Sequence, residues 1–436
     1  MGLSSMFGQK TAQEEEERFI LCIDGGGMRG LVPAVLLEKL SMLLESIGDN
    51  RPLYSHFDLI AGTSTGGLLA LALTAPVKKT TLRIDPRYIS YIYEKPMQSL
   101  WQRLMNKKQG EQLLGTLPFG VDIASLQKLY INHGMHIFPK NQGRLLSQIF
   151  IDKYDEQPLE QFLKQIFGDI PLEEAVVPTL VVSYDAANGK PFFFNSRDAH
   201  DFLFWEAARA TSAAPTFFKP AYLYDRKDKQ KLSLIDGGVV ANNPSLYAYK
   251  TAKSLYPNAK KFHILSLSTA SSDFTFTISG TGTGVIGWID PAKGAPIQKI
   301  YATSQMQVVD HIAQTIEDIN YCRIHGSLGQ EYKLDTTNPL ALSSMIKGAE
   351  IIFEQQKANL SDFATLLSKR TTFDQLKLGP KEVEPPVVVA EQPTPPLIEE
   401  QEGHSLFSSY YSFLQRYKIE EESLKEPQYE HPPKTN

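Results

Sequence analysis

Three short stretches of this 436-residue chain carry side chains and bare backbone that could act on a bond. The first is Gly62-Thr63-Ser64-Thr65-Gly66, a G-x-S-x-G spacing. A serine hydroxyl attacks acyl groups once a base takes its proton, and glycines on either side let the chain turn sharply enough to present it. An apolar strand pattern, HFDLIAG, precedes the serine, and a helix pattern, GGLLALALTAP, follows it. Ser64 would then stand at the head of a helix, where free N–H groups and the dipole favour an anion. The same residues would also serve as a plain Ser/Thr helix cap with loop glycines. A phosphate loop does not fit, because it would end in Gly-Lys-Ser/Thr and here the glycines lead into Leu68 and Leu69.

The second stretch is DGGGMRG at residues 24–30. Gly25, Gly27 and Gly30 spell G-x-G-x-x-G between a strand pattern and a helix pattern, as a dinucleotide-binding loop would. Alternatively, Gly25, Gly26 and Gly27 are bare amides aligned to hold a developing oxyanion. Arg29 would either reinforce that charge or pin the loop by pairing with a carboxylate. A dinucleotide fold wants an acidic residue at the end of its second strand to hold a ribose. Here that strand ends LIAGTS, with Ser64 in its turn.

The third stretch is Asp236-Gly237-Gly238, at the end of the apolar run LSLID. Asp-Gly is also the commonest short hairpin signal, so a turn and an acid at a sheet edge are both open here. A free aspartate, with a pKa near ~3.9, is a feeble base, and burial would improve it by disfavouring the charged form. A Ser–Asp–His triad would need a later histidine. His263 lies in a strand pattern, and His311 and His325 lie in or near helical patterns, so none occupies the usual loop after a late strand.

The elements that must position these stretches read as α/β. RFILCID is a buried parallel-strand pattern, and LVPAVLLEKLSMLLESIG keeps a helical period, with Pro33 suiting its first turn and Gly48 its stop. Further strands are expected at TLVVSYDA (179–186), KLSLIDGG and KFHILSLST, with PFFFNS pairing near the first. Helices are expected at DFLFWEAARATSAAP (ending before Pro215), NPSLYAYKTAKSLY, residues 297–319 and residues 343–370. Residues 270–295, rich in Gly, Ser and Thr, read as a loop. Strand–helix alternation argues for a central, mostly parallel sheet flanked by helices. The three chemical stretches fall at the carboxyl ends of strands, where functional groups collect in such sheets.

At this point the sequence resembles a known family, the patatin-like phospholipases, which are lipid acyl hydrolases. The resemblance rests on DGGGMRG (24–30), GTSTGG (62–67), ATSAAPTFF (210–218) and DGGVVANNP (236–244), in the family's order across residues 18–270. It implies a three-layer α/β fold and a Ser–Asp dyad without histidine. Ser64 aligns with the nucleophile, Asp236 with the acid, and Gly25, Gly26 and Gly27 with the oxyanion loop. Apart from the resemblance, the Thr65 amide at the helix start would add a donor, and Arg29 would reinforce the charge or pin the loop. Asp24, Gly30, Gly62, Gly66, Gly237 and Gly238 complete the motifs. The expected activity is hydrolysis of fatty-acyl esters in phospholipids or lysophospholipids, with no cofactor and no metal. Acyl transfer on the same dyad and non-catalytic lipid or partner binding are the alternatives. Where relatives often carry SLGTG after a strand, this chain has LSLSTA at 265–270, which bears on one wall of the site.

Composition narrows the class. With 44 basic and 49 acidic residues, the net charge of −5 argues against a nucleic-acid partner. The two cysteines, Cys22 and Cys322, form no disulfide framework or metal-spaced set, and Cys22 reads as a buried thiol. The first residues lack a signal-peptide core, and Met6 stands where a myristoylation pattern wants Ser or Thr. No run approaches about 18 apolar residues, so a cytoplasmic protein with peripheral membrane contact is expected. Leu100, Trp101, Leu104 and Met105, beside Lys107 and Lys108, suggest an interfacial patch or a packed amphipathic helix.

The expected organisation is a flexible segment at 1–17, a catalytic domain at 18–270, a helical extension at 271–376, a Pro/Glu-rich linker at 377–403 and a C-terminal helix and tail at 404–436. The acidic tail runs EEQE and EEES resemble export signals of some bacterial proteins translocated into host cells. That resemblance would imply a host protein activator.

Overall fold

The structure is a computed structural model. It describes residues 16–76, 79–84, 112–118, 126–127, 130–131, 134, 138, 153–198, 200–270 and 296–370. The chain divides into two units, Met1–Leu376 and Lys377–Asn436, and every described residue lies in the first. The expected interfacial patch around Trp101, the loop at 271–295 and the linker, helix and tail beyond 377 lie outside the described residues.

Strand β1 (Glu17–Ile23) is the apolar run expected from the sequence, buried throughout except at Glu17. Its side chains alternate between two apolar layers, with Phe19, Leu21 and Ile23 in one and Ile20 and Cys22 in the other. A strand covered on both faces reads as a continuous hydrophobic run rather than an alternating one. Helix α1 (Leu31–Ser46) follows and ends as the sequence predicts. Gly48 takes φ +85°, and its N–H and that of Asp49 close on the carbonyls of Glu45 and Leu44 at 3.0 and 2.9 Å. This is a left-handed helix stop of the kind glycine permits.

Strand β2 (Leu59–Thr63) leads directly into helix α2 (Thr65–Thr74), nearly all of which is buried. β3 (Lys79–Ile84) and β4 (Gln112–Pro118) form a separate antiparallel pair that the sequence reading did not anticipate. Next come helix α3 (Gln157–Phe167), strands β5 (Thr179–Asp185) and β6 (Lys190–Asn195), and helix α4 (Phe204–Thr211). α4 is shorter than its apolar pattern: Glu206 accepts the Leu203 N–H at 2.9 Å to start it. The unit continues through β7 (Ala221–Asp225), β8 (Gln230–Asp236), helix α5 (Ser245–Leu255), β9 (Lys261–Leu267), helix α6 (Pro296–Thr315), β10 (Ile319–Ile324) and helix α7 (Pro339–Ser368).

The main sheet runs β10-β9-β1-β2-β5-β8-β7, with β6 also on β5. The first five strands are mutually parallel. Helices α1 and α7 cover one face and α5 the other, which gives the three layers expected. Cys22, fully buried in the α5-facing layer, has its thiol pKa pushed up to about 12 by burial, as its strand position implied. β7 and β10 were not foreseen. Residues 297–319 read as one helix, but α6 stops at Thr315 and the chain becomes an edge strand that buries only Ile319 and Ile324.

One feature of the register brings the site together. β6 pairs with β5 from Leu180 to Asp185 and so occupies one whole edge of that strand. The other edge is shared. β2 takes it in parallel up to Thr63 opposite Val182, and β8 takes it antiparallel from Leu234 to Asp236, with Asp236 opposite Ser183. β2 and β8 therefore meet head-on, carboxyl end to carboxyl end, along a single edge. The next residue after Thr63 is Ser64, and the last residue of β8 is Asp236.

Candidate active site

Ser64 sits at φ 53° and ψ −124°, a conformation that a non-glycine residue holds only against strain of order 1–3 kcal/mol. The flanking glycines make the turn possible. A Cβ on Gly62 would lie 2.1 Å from the Gly66 carbonyl oxygen, and one on Gly66 would lie 2.2 Å from the carbonyl oxygen of Ile23. The elbow is braced from behind: the Ser64 N–H donates to Thr211 Oγ1 at 2.8 Å, and that hydroxyl donates to the Val182 carbonyl at 2.6 Å. Thr211, in the ATSAAP stretch, is thus a positioning contact that sequence reasoning included in a motif without a role.

The Ser64 hydroxyl donates to Asp236 Oδ2 at 2.6 Å. Asp236 Oδ1 accepts the Gly238 N–H at 2.7 Å, which occupies its other oxygen. The carboxyl is only 6% exposed, and burial pushes its pKa up to about 6, against the opposing hydrogen bonds from Ser64 and Gly238. Gly237 packs over the Val182 carbonyl, where a Cβ would come within 2.3 Å. The Asp-Gly-Gly sequence is therefore a short 3-10 turn capped by its own aspartate, not a hairpin.

The three histidines lie elsewhere. His263 stacks on Phe19 with ring centroids 4.8 Å apart, His311 is exposed on α6, and His325 bonds Ser268 Oγ at 3.0 Å.

The glycine loop faces this pair. A Cβ on Gly25 would sit 3.2 Å from Ser64 Cβ and 2.4 Å from Asn242 Oδ1. Its amide, however, is taken: the Gly25 N–H donates to the Asn242 carbonyl at 3.0 Å. Gly25 therefore supports the loop instead of supplying a free donor, which corrects the expectation for that residue. Met28 N–H and Arg29 N–H are also engaged, by Leu334 and Gly26 carbonyls. Among the described residues, the amides of Gly26, Gly27 and Thr65 have no such partner.

Arg29 is turned to backbone carbonyls, with Nη1 at 3.2 Å from that of Ala270, beyond β9, and Nε at 3.5 Å from that of Gly26 in the loop itself. It pins the loop, as one reading had it, but through carbonyl oxygens. Thr269, in the divergent LSLSTA wall, donates to the Gly25 carbonyl at 2.7 Å and packs where a side chain on Gly26 would go. Gly30 lies against Thr65 Oγ1 and the Tyr130 hydroxyl, which are themselves 2.5 Å apart. Asp24 is fully buried and forms an ion pair with Arg323. Neither Arg323 nor Asn242 was singled out in the sequence. No local pattern marks Arg323; Asn242 stood inside the DGGVVANNP motif.

The arrangement offers a hydroxyl on a carboxyl of raised pKa, next to a glycine loop and helix start whose amides at Gly26, Gly27 and Thr65 have no backbone partner among the described residues. That set can deprotonate a serine and stabilise an oxyanion. Among the described residues, the one His/Asp grouping of metal-ligand spacing is His200, Asp225 and Asp228, on the β7–β8 side. There His200 Nδ1 already lies 2.9 Å from Asp225. No described helix is long and apolar enough to cross a membrane.

Comparison with known proteins places this geometry in context. The model of the patatin-like phospholipase family matches residues 21–249. Patatin-like protein 2 of Oryza sativa subsp. japonica is 27% identical over 422 residues, covering 86% of this chain and 94% of its own. Patatin group D-2 of Solanum tuberosum is 27% identical over 401 residues, covering 82% and 92%. The solved structure of VipD from Legionella pneumophila aligns with 12% identity and a TM-score of 0.33, over 80% of this chain and 67% of that one. The family match takes in more than half of the chain and encloses the glycine loop, the serine elbow and the Asp-Gly-Gly turn, so this chain belongs to the patatin-like phospholipase family of lipid acyl hydrolases.

Proposed function

We propose that this protein hydrolyses fatty-acyl ester bonds of glycerophospholipids or lysophospholipids through Ser64 and Asp236. The observation that carries the proposal is the 2.6 Å hydrogen bond from a strained, elbow-borne serine to a buried carboxyl with a pKa near 6. At pH 7 to 8 that carboxyl is mostly ionised yet far more basic than a free aspartate. As Ser64 Oγ bonds to the ester carbonyl carbon, its proton passes to Asp236 Oδ2. The carbonyl oxygen gains the charge and is held by N–H groups of Gly26, Gly27 and Thr65. Collapse expels the alcohol, which takes the proton from Asp236. Water then attacks the acyl-serine, gives its proton to Asp236 and releases the fatty acid, with the proton returning to Ser64.

Losing one oxyanion donor of this kind typically costs about a hundred- to thousandfold in rate. Such substrates lie in a lipid–water interface, so peripheral contact with a membrane surface belongs to the same proposal.

The test is product analysis by mass spectrometry on a defined phospholipid whose two acyl chains differ, with wild-type protein and Ser64→Ala. Wild type should release free fatty acid, the chain released identifying the position cleaved. Ser64→Ala should be slower by at least about a thousandfold. Equal turnover by the two proteins would refute the proposal. Appearance of the acyl group on an added alcohol instead of as free acid would convert it to acyl transfer.

A further inference from the structure

The glycine loop is held by a polar network that reaches well outside the stretch matched by the family model. Asp24, the residue immediately before the glycines, is fully buried. Arg323 on β10 grips both of its oxygens: Nη1 donates to Oδ1 at 2.9 Å and Nη2 to Oδ2 at 2.5 Å. Nη1 also donates to Ser266 Oγ at 2.7 Å. The remaining nitrogen, Nε, is buried without a hydrogen bond and faces Asp310 Oδ1 of α6 at 3.5 Å.

Asp310 in turn accepts from the Tyr321 hydroxyl at 2.6 Å and from Asn243 Nδ2 at 3.0 Å. The neighbouring residue closes the circuit: Asn242 accepts the Gly25 N–H through its carbonyl and donates Nδ2 to the Gly25 carbonyl at 3.2 Å. The side chain of Asp24 and the backbone of Gly25 are thus tied to one continuous set of contacts. α6 also holds the segment after Asp236, since Tyr301 and Gln305 donate to the Val239 carbonyl at 3.1 and 3.2 Å.

We propose that Arg323 is a positioning residue for the reaction, aimed by Asp310 and acting through Asp24 to hold the Gly26 and Gly27 amides in place. The inference rests on the Ser64–Asp236 reading for its kinetic consequence, but not for its structural one. The planar fork of arginine is what the site uses. Two parallel N–H groups fix the plane of the Asp24 carboxylate, and through it the direction in which the chain enters the glycines. A lysine would supply the charge without fixing that plane.

The experiment compares full-length wild type, Arg323→Lys, Arg323→Met and Asp310→Asn, with Ser64→Ala as the control for the reaction itself. Two readouts are taken. Hydrogen exchange is followed at the amides of residues 24–30 and, as an internal reference, at the core strand Thr179–Asp185. Turnover is measured per serine titrated with a fluorophosphonate, with kcat and KM separated and the pH profile recorded.

For Arg323→Lys, exchange at 24–30 should accelerate about tenfold or more while the reference strand is unchanged. kcat per titrated serine should fall about ten- to a hundredfold, with KM within about twofold, because the donors act in the transition state. The acid limb of the pH profile should stay where it is in wild type, since the network does not touch the Asp236 carboxyl. Asp310→Asn should move both readouts in the same direction by less.

If Arg323→Lys leaves exchange and kcat per titrated serine within about twofold of wild type, the inference is overturned. It is equally overturned if the loss vanishes on normalising to titrated serine, or if exchange rises in both segments alike, because either marks a general loss of stability. Should Arg323→Met not accumulate as folded protein, the Lys and Asn variants carry the test. Equal turnover by wild type and Ser64→Ala would remove the catalytic reading, while the exchange arm would still decide whether Arg323 orders the loop.

Discussion

Replacing Asp236 by Asn should abolish hydrolysis and, at alkaline pH, make the protein more stable. The folded carboxyl titrates near 6 instead of at its ordinary 3.8, chiefly because burial disfavours the charged form. The folded chain therefore keeps a proton in a pH range where the unfolded chain has lost it. That preference favours the fold fully below the unfolded value and is lost as pH rises through the folded one. About two pH units at ~1.4 kcal/mol each mean that the ionised carboxylate opposes folding by about 3 kcal/mol at pH 8.

Asn is neutral at every pH, keeps an oxygen for the Gly238 N–H and presents its amide to the Ser64 hydroxyl, but it cannot take a proton. The stability difference, variant minus wild type, should move in the variant's favour by about 2.5 kcal/mol between pH 4 and pH 8. Urea unfolding followed by far-ultraviolet circular dichroism at the two pH values measures it, beside an ester-hydrolysis assay. A difference that is the same at both pH values would refute the burial argument. Hydrolysis retained by the variant would refute the role of the carboxylate.

Three further outcomes follow from the same geometry. In wild type, kcat/KM should fall on the acid side with a single-proton midpoint near 6, about tenfold by pH 5, and a midpoint near 4 would contradict a desolvated base. Gly25→Ala places a Cβ 2.4 Å from Asn242 Oδ1, so the Asn242 bond to the Gly25 carbonyl must break. Hydrolysis should drop about a hundredfold with circular dichroism unchanged, and full activity would mean the loop is not held as described. Replacing His263, His311 or His325 singly by Gln should leave turnover within about fivefold of wild type. A collapse with any one of them, together with an active Asp236→Asn, would reinstate a histidine base.

Much of the site was legible because its parts are local. The two-sided burial of β1 shows as an unbroken apolar run, and Gly48 marks the end of α1 through its left-handed backbone. The serine elbow follows from glycines at 62 and 66, which lie within four residues of each other and whose need to lack a side chain is a property of that turn alone. Other parts were not legible. β10 buries only its two ends, so no unbroken apolar run marks it; the expected helix at 297–319 took in its first residue and no element was expected over 320–324, so Arg323 went unplaced. The Asp24–Arg323 pair spans 299 residues and has no local signature at its Arg323 end. Assigning Gly25 as an oxyanion donor failed for a similar reason, because its amide is consumed by Asn242, 217 residues away.

The sequence by itself determined which groups are available: a hydroxyl on a tight turn, a carboxyl at a strand end, glycines that expose backbone N–H groups. Tertiary structure alone decided that they share a point. Strand direction is not written in an apolar run, and nothing local says that β8 pairs antiparallel with the edge of β5 that β2 has just left. Because β6 fills the opposite edge, the two strands must share one line of hydrogen bonds and meet end to end. That meeting sets Ser64 against Asp236, and the sheet packed around it supplies the burial that raises the pKa of the Asp236 carboxyl.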